Sequence, residues 1–114
     1  MLKKNCLLEM SEEGDELLVR IAGEIDHHSA VYARSEIDKR IAELCPKRTV
    51  LDLSGIDFMD SSGLGLVMGR YQKMRAVGGE LILRHPNERV VKIFKLAGLE
   101  KIVKIEAKEN KNEA

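Results

Sequence analysis

The sequence predicts an α/β domain in which one mixed β-sheet is covered by helices. Short, strongly apolar segments alternate along the chain with longer segments whose apolar residues recur every three or four positions. Turn residues and helix-ending glycine or proline residues separate these segments. A chain of 114 residues has room for one such domain. We therefore expect residues 1–114 to form a single domain with a core of about residues 6–105.

The predicted element order is β-β-α-β-α-β-α-β, and it opens with a hairpin. Alternating apolar residues predict strands at 6–10 and 17–22, and Gly14-Asp15 supplies turn chemistry between them. A first helix is predicted to begin at Ser29, a residue type favoured at N-caps, and to end at Pro46.

The second half of the chain repeats a strand–helix alternation. Residues 49–53 form a predicted central strand, followed by a loop over 54–60 and a helix over about 62–77. The next strand is predicted at 81–83. A third helix precedes Gly98.

The last predicted strand covers 102–105, and the charged segment 106–114 is expected to fray. Alternation of strands and helices implies right-handed crossovers, and hence a parallel or mixed sheet with helices packed against it.

Charge and composition exclude several classes of function. The 19 Lys and Arg residues balance 19 Asp and Glu residues, so the net charge is +0. Proteins that bind nucleic acid through phosphate contacts normally carry a basic excess. A hydrophobic content of 44% is typical of a folded globular chain rather than a disordered one. We expect no nucleic-acid partner.

The sequence indicates a cytoplasmic protein. Its apolar runs are far shorter than the roughly 18 residues that a membrane span needs, so no membrane association is expected. The short apolar stretch after Lys3 and Lys4 is not typical of a signal peptide. Cys6 and Cys45 are predicted to be two half-buried thiols rather than a disulfide.

Two polar segments are the candidate functional loops, because function in open α/β sheets concentrates beyond the carboxyl ends of strands. The first covers residues 23–28 and the second 54–63. If their parent strands are parallel neighbours, both loops open on the same edge of the sheet.

Asp60, Ser61 and Ser62 stand where the second helix begins. One side chain is enough to cap a helix, and capping alone explains one of the three. The surplus hydroxyl groups lie at the positive end of the helix dipole, where a phosphate is electrostatically tolerated. The residues themselves leave two explanations of this polar group open: all of it serves capping, or one serine is a site of modification.

The neighbouring residues leave further alternatives open. Phe58 and Met59 either fold into the core or form an apolar contact patch beside the serines. Gly63, Gly65 and Gly69 do not match a dinucleotide fingerprint in spacing. Gly65 and Gly69, four positions apart, instead predict a smooth helix face that another backbone can approach.

The Asp26-His27-His28 group does not indicate catalysis. Adjacent histidines at a helix start point in different directions, and no third metal ligand is evident. Ser61 is not in a nucleophile elbow, and so small a chain offers no evident substrate pocket. We expect no enzyme activity, no metal and no cofactor.

The residues of the two loops resemble the STAS domain family, and more closely its anti-anti-sigma factors from Gram-positive spore formers. The resemblance covers about residues 8–105 and rests on Gly23-Glu24-Ile25-Asp26-His27-His28, on Phe58-Met59-Asp60-Ser61-Ser62-Gly63-Leu64-Gly65 and on Gly69-Arg70-Tyr71.

The resemblance implies a regulatory switch in sporulation. In this family the unphosphorylated antagonist binds an anti-sigma factor, a nucleotide-bound serine kinase of the GHKL type, and releases the sigma factor. Phosphorylation of the first serine of Asp-Ser-Ser-Gly, here Ser61, ends that binding, and a PP2C-type phosphatase resets the cycle. The implied contact residues are Glu24, Asp26, His27, His28, Phe58, Met59, Asp60, Ser61, Ser62, Gly63 and Gly65.

One alternative of a different class remains. Related STAS-like modules sense a small ligand or a nucleotide, and measurable nucleotide affinity of the isolated domain would favour that function.

Overall fold

The computed structural model describes residues 2–3 and 6–106. They form an α/β domain in which helices cover a mixed β-sheet, as predicted. The strands are β1 (Leu2–Lys3), β2 (Cys6–Glu13), β3 (Glu16–Ile25), β4 (Arg48–Met59), β5 (Glu80–Arg84) and β6 (Lys104–Glu106). The helices are α1 (His27–Leu44), α2 (Ser61–Ala76) and α3 (Glu88–Leu96), and a 3₁₀ turn over Leu99–Lys101 precedes β6.

Within the described residues the six strands lie in the sheet in the order of the sequence. The pairs β1–β2 and β2–β3 are antiparallel, whereas β3, β4, β5 and β6 are parallel. Gly14 makes the β2–β3 hairpin possible, because its φ of 60° lies in the left-handed region that favours glycine. The parallel half requires a crossover after each strand, and α1, α2 and α3 supply them.

Most of both predicted functional loops belongs to strands or helices. β3 continues to Ile25 and β4 to Met59, so the predicted loops at 23–28 and 54–60 are wrong over most of their length. The sequence pattern did not predict these longer strands, because polar residues interrupt the alternation of apolar and polar side chains. Backbone pairing does not depend on side-chain polarity, and β3 and β4 stay paired to their ends.

Smaller differences concern the chain ends and the last strand. Residue 102 lies in a turn, its amide bonded to the Leu99 carbonyl, so β6 starts two residues later than predicted. The strand β1 was not predicted. Glu106 lies in β6, and the remainder of the predicted frayed segment, 107–114, lies outside the described residues.

One face of the sheet and all three helices build a single core. Its strand residues include Val19, Leu51 and Leu83, which are paired across β3, β4 and β5. The helices contribute buried residues to the same cluster, among them Ile37 of α1 and Phe94 of α3. The helices therefore cover one face of the sheet, and the other face is left to side chains of the strands.

The helix-free face carries one apolar row between two charged rows. Leu18, Val50 and Ile82 are paired across β3, β4 and β5. The charged row nearer the carboxyl ends of β3 and β4 consists of Glu9, Arg20, Asp52, Arg84 and Glu106. The charges in this row alternate in sign from β2 to β6. Arg20 lies 3.7 Å from Glu9 and Arg84 lies 3.1 Å from Glu106. Alternating charges satisfy one another on a face that no helix covers.

The second charged row joins Arg48 to two carboxylates. Its guanidinium donates to Glu16 at 2.6 Å and to Glu80 at 2.9 Å, and these carboxylates raise the pKa of Arg48. In the other row, burial opposes ionisation of Asp52, but the Ser54 amide and the charge of Arg20 outweigh it and lower the pKa of that carboxyl.

A buried ion pair joins α1 to α2. Arg70 is 2% exposed, and its Nε lies 2.8 Å from Oδ1 of Asp38 as an ion contact without hydrogen-bond alignment. Its second contact is a hydrogen bond of 3.3 Å from Nη2 to Oδ2. Burial lowers the pKa of Arg70 and the charge of Asp38 opposes this shift. The pair fixes one helix against the other.

The two cysteines are free thiols in unlike settings. Cys6 is 1% exposed, and burial raises its pKa, whereas Cys45 is exposed at the end of α1. The prediction of two free thiols rather than a disulfide is confirmed, but neither thiol is half-buried.

We predict that Asp38→Ala lowers the free energy of unfolding by about 3 kcal/mol, because it leaves the Arg70 guanidinium buried without its partner. Chemical denaturation measures this loss. The matched control is Glu12→Ala, which removes an exposed pair with Arg40 at 3.6 Å and should cost under about 1 kcal/mol. Equal losses in the two variants would contradict the structural role of the buried pair.

Candidate functional site

The site is built where β3 and β4 end side by side. Ile25 pairs with Met59, and the Asp60 amide donates to the Ile25 carbonyl at 3.1 Å. Each strand runs directly into a helix, so the N-termini of α1 and α2 lie next to each other at one edge of the sheet. The predicted convergence of the two segments on one edge is thus confirmed.

Two register shifts in β4 decide which of its last residues face the core. Arg20 pairs with Asp52 but Ala22 pairs with Gly55, and a second shift follows Gly23. Each shift adds one residue to β4, as a β-bulge does, and reverses the side on which the following residues point. The close approach at Gly55 requires glycine, because a Cβ there would come 2.8 Å from the Cβ of Ala22.

The shifts bury Met59 and expose Phe58. Met59 is 5% exposed and belongs to the core, whereas Phe58 is 52% exposed and pairs with exposed Glu24 on the helix-free face. Of the two predictions left open for Phe58, the contact patch fits and the core does not. Met59 is not an accessible contact residue, and its prediction as one is wrong.

Asp26, not Ser29, is the N-cap of α1. The Asp26 carboxylate accepts from the Ser29 amide at 2.9 Å, and the Ser29 hydroxyl accepts from the Asp26 amide at 2.9 Å. This reciprocal arrangement is a capping box with Ser29 at the third helical position. The helix therefore begins two residues earlier than predicted, and His27 and His28 form its exposed first turn.

Asp60 caps α2, as the sequence allowed. Its carboxylate accepts from the Ser62 amide at 2.7 Å. Ser61 is the first residue of the helix and is exposed, whereas Ser62 is half-buried. With the cap supplied by Asp60, the Ser61 hydroxyl is not needed for capping, and it has no hydrogen-bond partner among the described residues at the positive end of the helix dipole.

Gly63 is a structural glycine rather than a contact surface. It is buried, and a Cβ on it would overlap the side chain of Met59. Gly65 differs, because a Cβ there would meet nothing within 4 Å. Gly65 is exposed and belongs to the surface. The predicted contact at Gly63 is wrong, because Gly63 is buried like Met59.

A groove adjoins the serines between α1 and α2. We define it by His27, Val31 and Arg34 of α1 and by Ser62, Gly65, Gly69 and Lys73 of α2. Its upper part is an open cavity of about 210 Å³. Small-molecule pockets usually measure about 300–1,000 Å³ and enclose their ligand. The upper cavity is therefore too small and open for a ligand-sensing site.

Sequence reasoning missed Val31 and Arg34 as part of this surface. They follow His27 by four and seven positions, which places all three on one side of a helix. The sequence contains that spacing, but a helix predicted to begin at Ser29 leaves His27 outside it, so the shared face was not recognised.

The part of the chain that the structure describes holds no metal-ligand cluster. No group of three His, Cys, Asp or Glu side chains within it could hold a metal ion. The rings of His27 and His28 meet edge to face, with 5.8 Å between their centroids.

No described helix is long and apolar enough to cross a membrane.

The pH dependence of stability tests the contribution of the Asp26 cap to α1. The hydrogen bond from the Ser29 amide lowers the pKa of Asp26 below its ordinary 3.8, and the charge of His28 adds to this. A lowered pKa means that the charged cap stabilises the fold above pH 3.8 and loses this effect as the pH falls through the lowered value.

We predict that Asp26→Asn, which keeps a neutral capping oxygen, has a lower Tm than wild type at pH 7. The difference should shrink to nothing in acid, as thermal unfolding at a series of pH values would show. Asp26→Ser, a second neutral cap, should follow the same curve. A difference that stays constant with pH would mean that the Asp26 charge does not stabilise α1.

Comparison with known proteins places this chain in a family. Residues 8–112 match the STAS domain. The anti-sigma F factor antagonist of Paenibacillus polymyxa is 38% identical over 101 residues, which cover 89% of this chain and 86% of that protein.

Two solved structures share the fold. SpoIIAA, an anti-sigma factor antagonist, matches in its unphosphorylated form with a TM-score of 0.78 and 30% identity, over 94% of this chain and 91% of that one. The Bacillus cell fate determinant SpoIIAA in its phosphorylated form matches with a TM-score of 0.72 and 29% identity, over 94% and 95%. The capped serine edge, the mixed sheet and these matches together show that the chain belongs to the STAS domain family.

Proposed function

We propose that this protein is an anti-sigma factor antagonist of the sporulation type, switched by phosphorylation of Ser61. The unphosphorylated form binds an anti-sigma factor that is also a nucleotide-bound serine kinase of the GHKL type. Binding releases the sigma factor, and phosphorylation of Ser61 ends the binding. A PP2C-type phosphatase restores the hydroxyl, and all of these partners meet in the cytoplasm.

The single observation that carries the proposal is the free, exposed hydroxyl of Ser61 at the start of a helix that Asp60 already caps. A kinase needs access to the hydroxyl, and the helix needs nothing from it. Ser62 is the poorer acceptor, because it is half-buried and its amide is held by Asp60.

The proposed switch acts directly at the contact surface. A phosphate adds about −1.5 to −2 charge, which the positive end of the α2 dipole tolerates without refolding. Asp60 lies beside it, so a partner surface that fits a hydroxyl and one carboxylate would meet concentrated negative charge. A penalty of about 3 kcal/mol weakens binding roughly a hundredfold.

The likeness to both forms of SpoIIAA supports a local switch. TM-scores of 0.78 and 0.72 to the unphosphorylated and phosphorylated relatives mean that one fold is compatible with either state. The contact surface that we propose comprises the accessible residues at this edge, which are Glu24, Asp26, His27, His28, Phe58, Asp60, Ser61, Ser62 and Gly65.

We predict that incubation with an anti-sigma factor kinase and ATP adds one phosphate, and that intact-mass analysis with peptide mapping locates it at Ser61. Ser61→Ala should take up none and bind the kinase constitutively. Ser61→Asp should bind roughly a hundredfold more weakly, because it places a charge where the partner meets a hydroxyl.

Ser62→Ala is the matched control and should be phosphorylated like wild type. If Ser62→Ala alone abolished phosphate incorporation, the acceptor assignment would be wrong. If wild type neither bound the kinase nor displaced its sigma factor, the proposed function itself would fail.

A further inference from the structure

Two glycines inside α2 are not required by the fold. A Cβ on Gly65 or on Gly69 would meet nothing within 4 Å, whereas one on Gly63 would overlap Met59. Glycine in a helix interior lowers stability relative to alanine. The fold therefore explains the glycine at 63 but gives no reason for those at 65 and 69.

Both glycines face the groove between α1 and α2. Gly65 lines its upper cavity and Gly69 its lower one, which measures about 420 Å³, and Arg34 lines both cavities. The two cavities adjoin at Arg34, and together they form the groove along α2. It runs from Ser62 to Lys73, which is about 16 Å along the helix, or three turns.

The upper groove has an apolar centre between the polar side chains of His27, Arg34 and Ser62. Val31 on α1 is 42% exposed, although it is a large aliphatic side chain, and Ala30 and Leu66 form the floor below it. An exposed valine beside a bare glycine leaves an apolar strip with room for a partner backbone, since helix separation depends on the side chains at the contact.

The lower groove is cationic. Arg34 and Lys73 line it, both are exposed, and neither has an ion-pair partner among the described residues. Arg70 also lines it, but Asp38 neutralises that charge at 2.8 Å. The groove therefore presents two uncompensated positive charges in a protein whose net charge is +0.

We propose that the groove between α1 and α2 receives an acidic amphipathic α-helix of the anti-sigma factor partner. The apolar side of that helix lies on Val31 and on the bare backbone at Gly65 and Gly69. Its carboxylates face Arg34 and Lys73. This inference rests on the proposed function and extends the contact surface from the serine edge along three turns of α2.

Charge reversal tests the acidic partner. Affinity is measured for the nucleotide-bound anti-sigma factor kinase used in the Ser61 assay, at low and at high salt. Arg34→Glu/Lys73→Glu should weaken binding at least about tenfold at low salt, and less at high salt because salt screens the pairs. Lys92→Glu/Lys95→Glu, an equal charge change on exposed residues of α3, is the matched control and should bind within about twofold of wild type.

Glycine replacement tests the close approach. Gly65→Ala and Gly69→Ala should each raise the Tm by about 4 °C, because alanine favours the helix and has open space here. Each should nevertheless weaken kinase binding about tenfold. A purely structural role cannot make a variant more stable and less able to bind.

The outcomes separate the two proposals. If wild type binds the kinase and the groove variants bind equally well, the groove inference is overturned and the Ser61 switch stands. Equal weakening by the α3 control would also overturn it, because general charge and not the groove would then drive binding. If wild type does not bind at all, the proposed function fails instead.

Discussion

The pairing of the last residues of β3 and β4 is the constraint on which the site depends. Ile25 and Met59 share a register position, and the Asp60 amide bonds to the Ile25 carbonyl at 3.1 Å. A slip of one residue would turn Met59 out of the core and reverse the exposure of Phe58. The pairing therefore sets where α1 and α2 begin, and with that the position of Ser61.

Capping and the proposed switch are assigned to different residues at this edge. Asp26 and Asp60 each satisfy an amide at a helix start, so neither helix depends on the hydroxyl of Ser61. A group that the fold does not need can change its charge without unfolding the protein. The net charge of +0 would give the proposed phosphorylation a neutral background, so a phosphate of about two charges would be a large relative change at one point of the surface.

The two faces of the molecule meet solvent in different ways. On the helix-free face, the charges from Glu9 to Glu106 alternate in sign across five strands, and Arg20 pairs with Glu9 and Arg84 with Glu106. Between α1 and α2, by contrast, Arg34 and Lys73 lack partners among the described residues, and two glycines leave backbone bare. Surface charge is satisfied internally on one side and available on the other.

The sequence by itself determined the fold class, the order of the elements after β1 and the candidate serine, because alternation, helical periodicity and turn residues are local properties. Only the tertiary structure decided that the segments at 23–28 and 54–60 lie mostly in strands and a helix, that Asp26 rather than Ser29 caps α1, and that Met59 and Gly63 are buried. Those outcomes depend on the shifted pairing of β3 with β4, residues about thirty positions apart in the chain. No local pattern reports such a register, because it is set by which side chains the core can bury.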